Sequence, residues 1–247
     1  MENKNRFVLA FDTTTLGTSV SIASKDGEIL KTKYKAEKDN RASYLFTLID
    51  ECIIELGVKL YDIDLICVAV GPGSYTGMRL GLAVAKSVSI NLGIKAVSVN
   101  TLKALAYKTA YSENRKICAI LPAGRNDLFA QVFELEGQVI IEVTDQKVVS
   151  IERLISDLLP FSSIIFAGVF SDSLVEQIGD IALKNKIDLN VKSNFNNTSH
   201  NDKGWSLIQQ SSPLSESVAK LGLETFLSNK GNITNSLLAN YVRKTFY

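Results

Sequence analysis

The stretch Gly71-Pro-Gly-Ser-Tyr-Thr-Gly-Met-Arg-Leu-Gly81 constrains this chain more than any other. It joins an apolar run, Leu65 to Val70, that reads as a buried strand to a second run, Leu80 to Leu92, that reads as a helix. Four glycines and a proline at such a junction demand a tight turn and let a second surface come close. Two standard glycine-loop readings fail. A P-loop has Gly, four residues, Gly-Lys and then Ser or Thr, but no glycine stands five positions after Gly71 or Gly73, and no lysine follows Gly77. The dinucleotide fingerprint needs a glycine where Thr76 stands. In the helix, Gly77, Gly81 and Ala85 recur every four residues as a smooth stripe that another backbone can approach. Leu80, Val84 and Val88 make a neighbouring apolar stripe, widened by Met78, Leu82 and Ile90. A helix this apolar has more than one face covered: one by its own sheet, the second by another helix or by a partner protein.

The rest of the chain falls into two similar halves. Phe7 to Phe11 reads as a buried strand, Asp12-Thr-Thr-Thr15 as a turn, and Thr18, Val20 and Ile22 as an alternating second strand. Asp26-Gly27 marks a hairpin into a third strand, Ile29 to Lys35. Leu45, Leu48, Ile49, Cys52, Ile53 and Leu56 recur at helical spacing, with Asn40 as cap and Gly57 as stop. Strand 65–70, the glycine stretch and its helix, strand 95–99 and a helix capped by Asn100 complete the half. Strands at 117–121, 128–133 and 138–143, a helix capped by Ser150, strand 163–167 and a helix from Ser171 repeat the order. Residues 193–204 read as a polar loop, Pro213 starts a last helix, and 237–246 reads as a final edge segment. The expected division is residues 1–102 plus about 214–247 against 103–213.

Composition excludes several function classes. A hydrophobic fraction of 46% with 21% charged residues describes a globular protein, and a net charge of +1 makes no demand for nucleic acid. Cys52, Cys67 and Cys118 sit far apart in apolar runs, which predicts buried thiols in a reducing compartment. The first six residues lead straight into a strand with no signal-peptide pattern, and no apolar run of about 18 residues occurs, so a cytoplasmic chain with no membrane partner is expected. Asp12, with Thr13 and Thr14, could orient water or magnesium beside a phosphate, or could simply bond its own turn. The single histidine, His200, cannot build a metal site alone, and no nucleophile–histidine arrangement is evident.

These residues carry a family resemblance. Phe11-Asp-Thr-Thr-Thr15 and the duplicated strand order resemble the actin-like ATPase superfamily of sugar kinases and heat-shock protein 70. The stretch from Gly71 to Arg79 resembles the signature of the TsaB (YeaZ) family, as do Asn100-Thr-Leu102, Ala123 to Phe129 and Tyr241-Val-Arg243. The resemblance covers the first 130 residues or so and is thin from Val143 to Leu237. It implies an α/β, two-lobed actin-like (ribonuclease H-like) fold, each lobe a mixed sheet flanked by helices.

It also implies a non-catalytic subunit that works with the catalytic paralogue TsaD and the ATPase TsaE. That machinery places a threonylcarbamoyl group on N6 of adenosine 37 in tRNAs reading codons that begin with A. The paralogue holds its metal with paired histidines on a helix, which this chain lacks. Pairing with TsaD, or with a second copy, is expected through the helices 40–56 and 77–92, with tRNA contacted indirectly. The residues expected at that interface are Leu45, Leu48, Ile49, Cys52, Gly73, Tyr75, Thr76, Gly77, Met78, Gly81, Leu82 and Ala85. Asp12, Thr13 and Thr14 would be a degenerate nucleotide site, with no resident metal or cofactor and ATP and magnesium acting in the partners. The alternatives are a small-molecule kinase or ATPase of the superfamily and a homodimeric module without a tRNA role. The chain departs from the family at Asn40, Pro122 and Asn240, where histidine, aspartate and proline are usual.

Overall fold

The computed structural model describes residues 6–37, 40–109, 115–125, 127–137, 139–192, 204–209, 213–229, 237 and 240. The chain divides into two compact units, Met1–Ala104 with Ser212–Asn240, and Leu105–Ser211 with Tyr241–Tyr247.

The first unit is built on a five-stranded sheet. Strands β1 (Phe7–Asp12), β2 (Thr18–Ser24) and β3 (Ile29–Lys35) form an antiparallel meander. Gly27 at φ 86° makes the β2–β3 turn, a conformation glycine adopts without a Cβ penalty. Helix α1 (Arg41–Leu56) crosses to β4 (Ile63–Ala69), which pairs parallel to β1, and α2 (Tyr75–Leu92) crosses to β5 (Lys95–Val99), parallel to β4. The strand order is β3-β2-β1-β4-β5. Alternation along the strands separates the faces. Leu9, Phe11, Val20, Ile22, Ile66 and Val68 meet Leu45, Leu48, Ile49 and Cys52 of α1 and Val84 and Ala85 of α2 in one core. The opposite face receives α6 (Ser215–Ser228). There Ser215 bonds Ser19 (3.1 Å) and Ser21 (2.7 Å), and Gly222 leaves room for the Cys67 side chain.

The second unit repeats this plan. Strand β6 (Lys116–Gly124) pairs antiparallel with β7 (Asp127–Glu136), and β7 with β8 (Val139–Glu142). After β9 (Lys147–Ser150) and α4 (Ile151–Leu158), strand β10 (Ile164–Gly168) lies parallel to β6. After α5 (Asp172–Lys184) and β11 (Leu189–Lys192), strand β12 (Trp205–Gln209) lies parallel to β10. The order β8-β7-β6-β10-β12 matches β3-β2-β1-β4-β5 strand for strand, with β11 added at the edge. The repeat expected from element order is therefore present in the sheet. Helix α3 (Thr101–Thr109) follows β5, capped by the Asn100 side chain through the Leu102 and Lys103 amides.

Three strands were not legible in the sequence. β9 and β11 are each four residues long, and β12 is a short apolar run beside a polar stretch. Asn40 does sit at the start of α1, but in the left-handed conformation and without a side-chain cap bond. The helix after the glycine stretch begins at Tyr75, not Leu80, because Ser74 caps it by accepting from the Gly77 amide at 3.2 Å. His200, most of the loop 193–204 and the tail motif 241–243 lie outside the described residues. Among the described residues no helix is long and apolar enough to cross a membrane.

The three cysteines are buried free thiols. Burial pushes Cys52 up to about 11 and Cys118 up to about 12, and shifts Cys67 the same way. Their protons are held in the folded chain and released on unfolding at lower pH, so this contribution is complete below the ordinary thiol range. It is lost as pH climbs through about 11 to 12. A thiol-disulfide reagent at neutral pH should therefore modify the native protein slowly and all three sites at once in denaturant. Rapid native labelling of Cys67 would contradict this packing.

Candidate functional site

The candidate site is the turn between β1 and β2, which the sequence offered as a degenerate nucleotide site. Asp12, Thr13 and Thr14 are brought together there, as expected, but all three are buried and bonded inward. The Asp12 carboxylate accepts from the Thr14 amide at 2.7 Å and the Thr14 hydroxyl at 2.6 Å, and its second oxygen accepts from the Thr15 hydroxyl. Thr14 also shares a hydrogen bond with Thr101 (2.9 Å), whose hydroxyl accepts from the Gly71 amide at 3.1 Å. Outward, the turn shows carbonyls. One Arg41 nitrogen donates to the oxygens of Thr13 (2.6 Å), Thr15 (2.8 Å) and Gly17 (3.2 Å). Burial lowers the Arg41 pKa from its ordinary value, partly offset by the Asp12 carboxylate, and raises that of Tyr34 nearby. A phosphate cradle presents amides to its ligand. Here three carbonyl oxygens of the turn face Arg41 instead.

The glycine stretch explains itself against this turn. A Cβ at Gly77 would stand 1.8 Å from the Thr13 carbonyl oxygen, one at Gly73 2.5 Å from the Thr14 oxygen, and one at Gly81 2.8 Å from the Thr13 hydroxyl. Hydrogen bonds close the contact: the Thr13 hydroxyl donates to the Gly77 carbonyl at 2.6 Å, and the Ser74 amide to the Thr14 carbonyl at 2.8 Å. On the other side, the Asn240 amide donates to the Val70 carbonyl at 2.9 Å, a bond that proline could not make. The smooth helical stripe thus receives the chain's own β1–β2 turn.

That packing corrects part of the expected interface. Leu45, Leu48, Ile49, Cys52 and Ala85 belong to the first unit's core, and Gly77, Met78 and Gly81 are buried as well. A rigid partner cannot reach them. Gly73 and Leu82 are half-buried, and Tyr75 and Thr76 are exposed, with the Arg79 guanidinium 4.3 Å over the Tyr75 ring. Three apolar side chains of these helices outside the expected set are well exposed, Phe46 at 53% and Ile54 at 76% on α1 and Ile90 at 76% on α2. Arg41 and Thr101 also escaped the site reading. Arg41 reaches carbonyls 24 to 28 positions away and Thr101 a hydroxyl 87 positions away, which no local pattern signals. Pro122 lies exposed in β6 opposite Leu128.

Comparison with known proteins decides the lineage. Residues 35–195 match the family described as TsaD: tRNA N6-adenosine threonylcarbamoyltransferase. The chain belongs to this family. Among curated TsaD-family relatives, the tRNA threonylcarbamoyladenosine biosynthesis protein TsaB of Buchnera aphidicola subsp. Baizongia pistaciae is 30% identical over 127 residues, 49% of this chain and 55% of that protein. The Bacillus subtilis TsaB is 28% identical over 145 residues, 57% of this chain and 61% of that one. The tRNA N6-adenosine threonylcarbamoyltransferase of Ehrlichia chaffeensis is 30% identical over 118 residues, 42% of this chain and 34% of that one. The matches thus span between 34% and 61% of the length of these relatives. A Pseudomonas aeruginosa crystal structure described as similar to peptidase YEAZ superimposes with a TM-score of 0.72 at 21% identity, over 96% of this chain and 100% of that one. The likeness to TsaB and YeaZ proteins expected from the motifs, and the two-sheet α/β fold, are seen in these matches.

The contact between Gly77 and Thr13 should be the least tolerant point of the glycine stretch. Gly77→Ala is expected to lower stability by about 3 kcal/mol or more, or to prevent folding. Gly179→Ala, in α5 with open space around its Cβ, should raise stability by about 0.5–1 kcal/mol. Thermal denaturation of the two variants checks both signs, and a tolerated Gly77→Ala would refute the contact.

Proposed function

We propose that the chain is a non-catalytic binding subunit in the formation of threonylcarbamoyladenosine at position 37 of tRNAs reading codons that begin with A. It would act with TsaD as a heterodimer, with TsaE joining the pair, and touch tRNA only through them. The family match and the TsaB-named relatives support the process. The observation that carries the non-catalytic role is the closed β1–β2 turn, whose carboxylate and carbonyls are spent on Thr14, Thr15 and Arg41. A kinase or ATPase would need those groups free for a phosphate and its metal.

The docking surface in this reading is the outer side of α1 and α2: Phe46, Tyr75, Thr76, Leu82 and Ile90. These side chains keep exposed or half-exposed surface, and the core beneath them holds both helices rigid. A second copy of the chain would use the same surface, so self-pairing and pairing with TsaD would compete.

Light scattering on the chain alone and mixed with TsaD from the same cell tests this. A mixed species is expected. Phe46→Asp or Ile90→Asp should weaken it at least tenfold, about 1.4 kcal/mol or more, with little change in melting temperature. An unaltered complex with both variants would remove this surface. No complex at all would shift the reading to a self-pairing module.

A further inference from the structure

We propose that the β1–β2 turn is a cation receptor, whose seat for a guanidinium or a monovalent metal ion is filled in this structure by the chain's own Arg41. Three main-chain oxygens, from Thr13, Thr15 and Gly17, converge on a single Arg41 nitrogen at 2.6, 2.8 and 3.2 Å. The Asp12 carboxylate lies behind them, 1% exposed. Three carbonyl oxygens pointing to one place attract a cation and disfavour a phosphate there. A set of neutral carbonyl dipoles is the kind of group that holds a large, weakly hydrated cation.

Arg41 is poorly explained by its own helix. It is the first residue of α1, where the macrodipole disfavours a positive charge, and the first turn holds no acidic residue. Asn40 before it gives no side-chain cap. The turn, not the helix, accounts for an arginine there. The consequence is mechanical. The same turn carries the oxygens against which Gly73 and Gly77 pack, so a cation in this seat ties the start of α1 to the start of α2. Arg41 is thus a positioning residue for both helices.

Melting temperatures at constant ionic strength, with choline chloride as the inert salt, test the charge requirement. Arg41→Lys, which keeps a cation, should stay within about 2 °C of the parent; Arg41→Gln, which keeps donors but no charge, should fall by roughly 5 °C or more. Arg41→Ala should fall similarly and recover at least half the loss when potassium or low concentrations of guanidinium replace choline, while the parent ignores the exchange. Equal stability of the Lys and Gln variants would overturn the proposal, since hydrogen bonding alone would then suffice. So would an Arg41→Ala variant indifferent to the cation, or a parent protein stabilised by magnesium-ATP. If Arg41→Ala does not fold, the Lys and Gln variants still decide the question.

Discussion

The approach of the Gly77 backbone to the Thr13 carbonyl is the contact on which the first unit depends. It places the start of α2 directly on the end of β1, closer than any side chain allows. Gly73 and Gly81 extend the same groove on either side. Once the turn is seated there, its hydroxyls, amides and carbonyls have fixed partners, and buried polar groups must have partners. The Asp12 bonds, the Thr14–Thr101 link and the Arg41 clamp satisfy that requirement. Loosening one of them exposes the others to the full cost of an unmet buried donor or acceptor.

The two units show how one plan serves different ends. The second unit repeats the five-strand order but supports its sheet differently. Its core joins Phe166 to Trp205 edge-to-face at 5.6 Å, and Arg115 binds the Ser163 and Ser206 hydroxyls and the Gly204 carbonyl. In the first unit the polar network gathers at the β1–β2 turn. There Asp12 accepts from Thr14 and Thr15, and Arg41 donates to the carbonyls of the turn.

Surface charge contributes less. Lys31 and Lys33 on the edge strand β3 pair with Glu55 of α1, with Glu51 3.6 Å from Lys33. Such solvent-screened surface pairs contribute little. A fully buried Phe11 or Leu45 contributes about 1.5–3 kcal/mol. Lysines along β3 do more to keep the sheet edge from pairing with another chain.

Local sequence determined much of this protein. Alternation and helical spacing placed the meander of the first unit, the crossover helices and the Ser150 and Asn100 caps, because periodicity and capping are properties of neighbouring residues. Sheet order confirmed the repeat that element order suggested. The four glycines announced a close approach, but not what approaches: a smooth stripe looks the same whether a partner or Thr13 fills it. For the same reason Leu45, Cys52 and Ala85 read as interface and proved to be core. Arg41 and Thr101 gave no signal because their partners stand far along the chain. Short strands such as β9 and β11 carry too few residues for a pattern, and only pairing with β7 and β12 makes them strands. Sequence therefore determined which faces are apolar and where the chain must turn. Tertiary structure decided what covers each face and which way the oxygens of the Asp12 turn point, since both depend on contacts between distant residues.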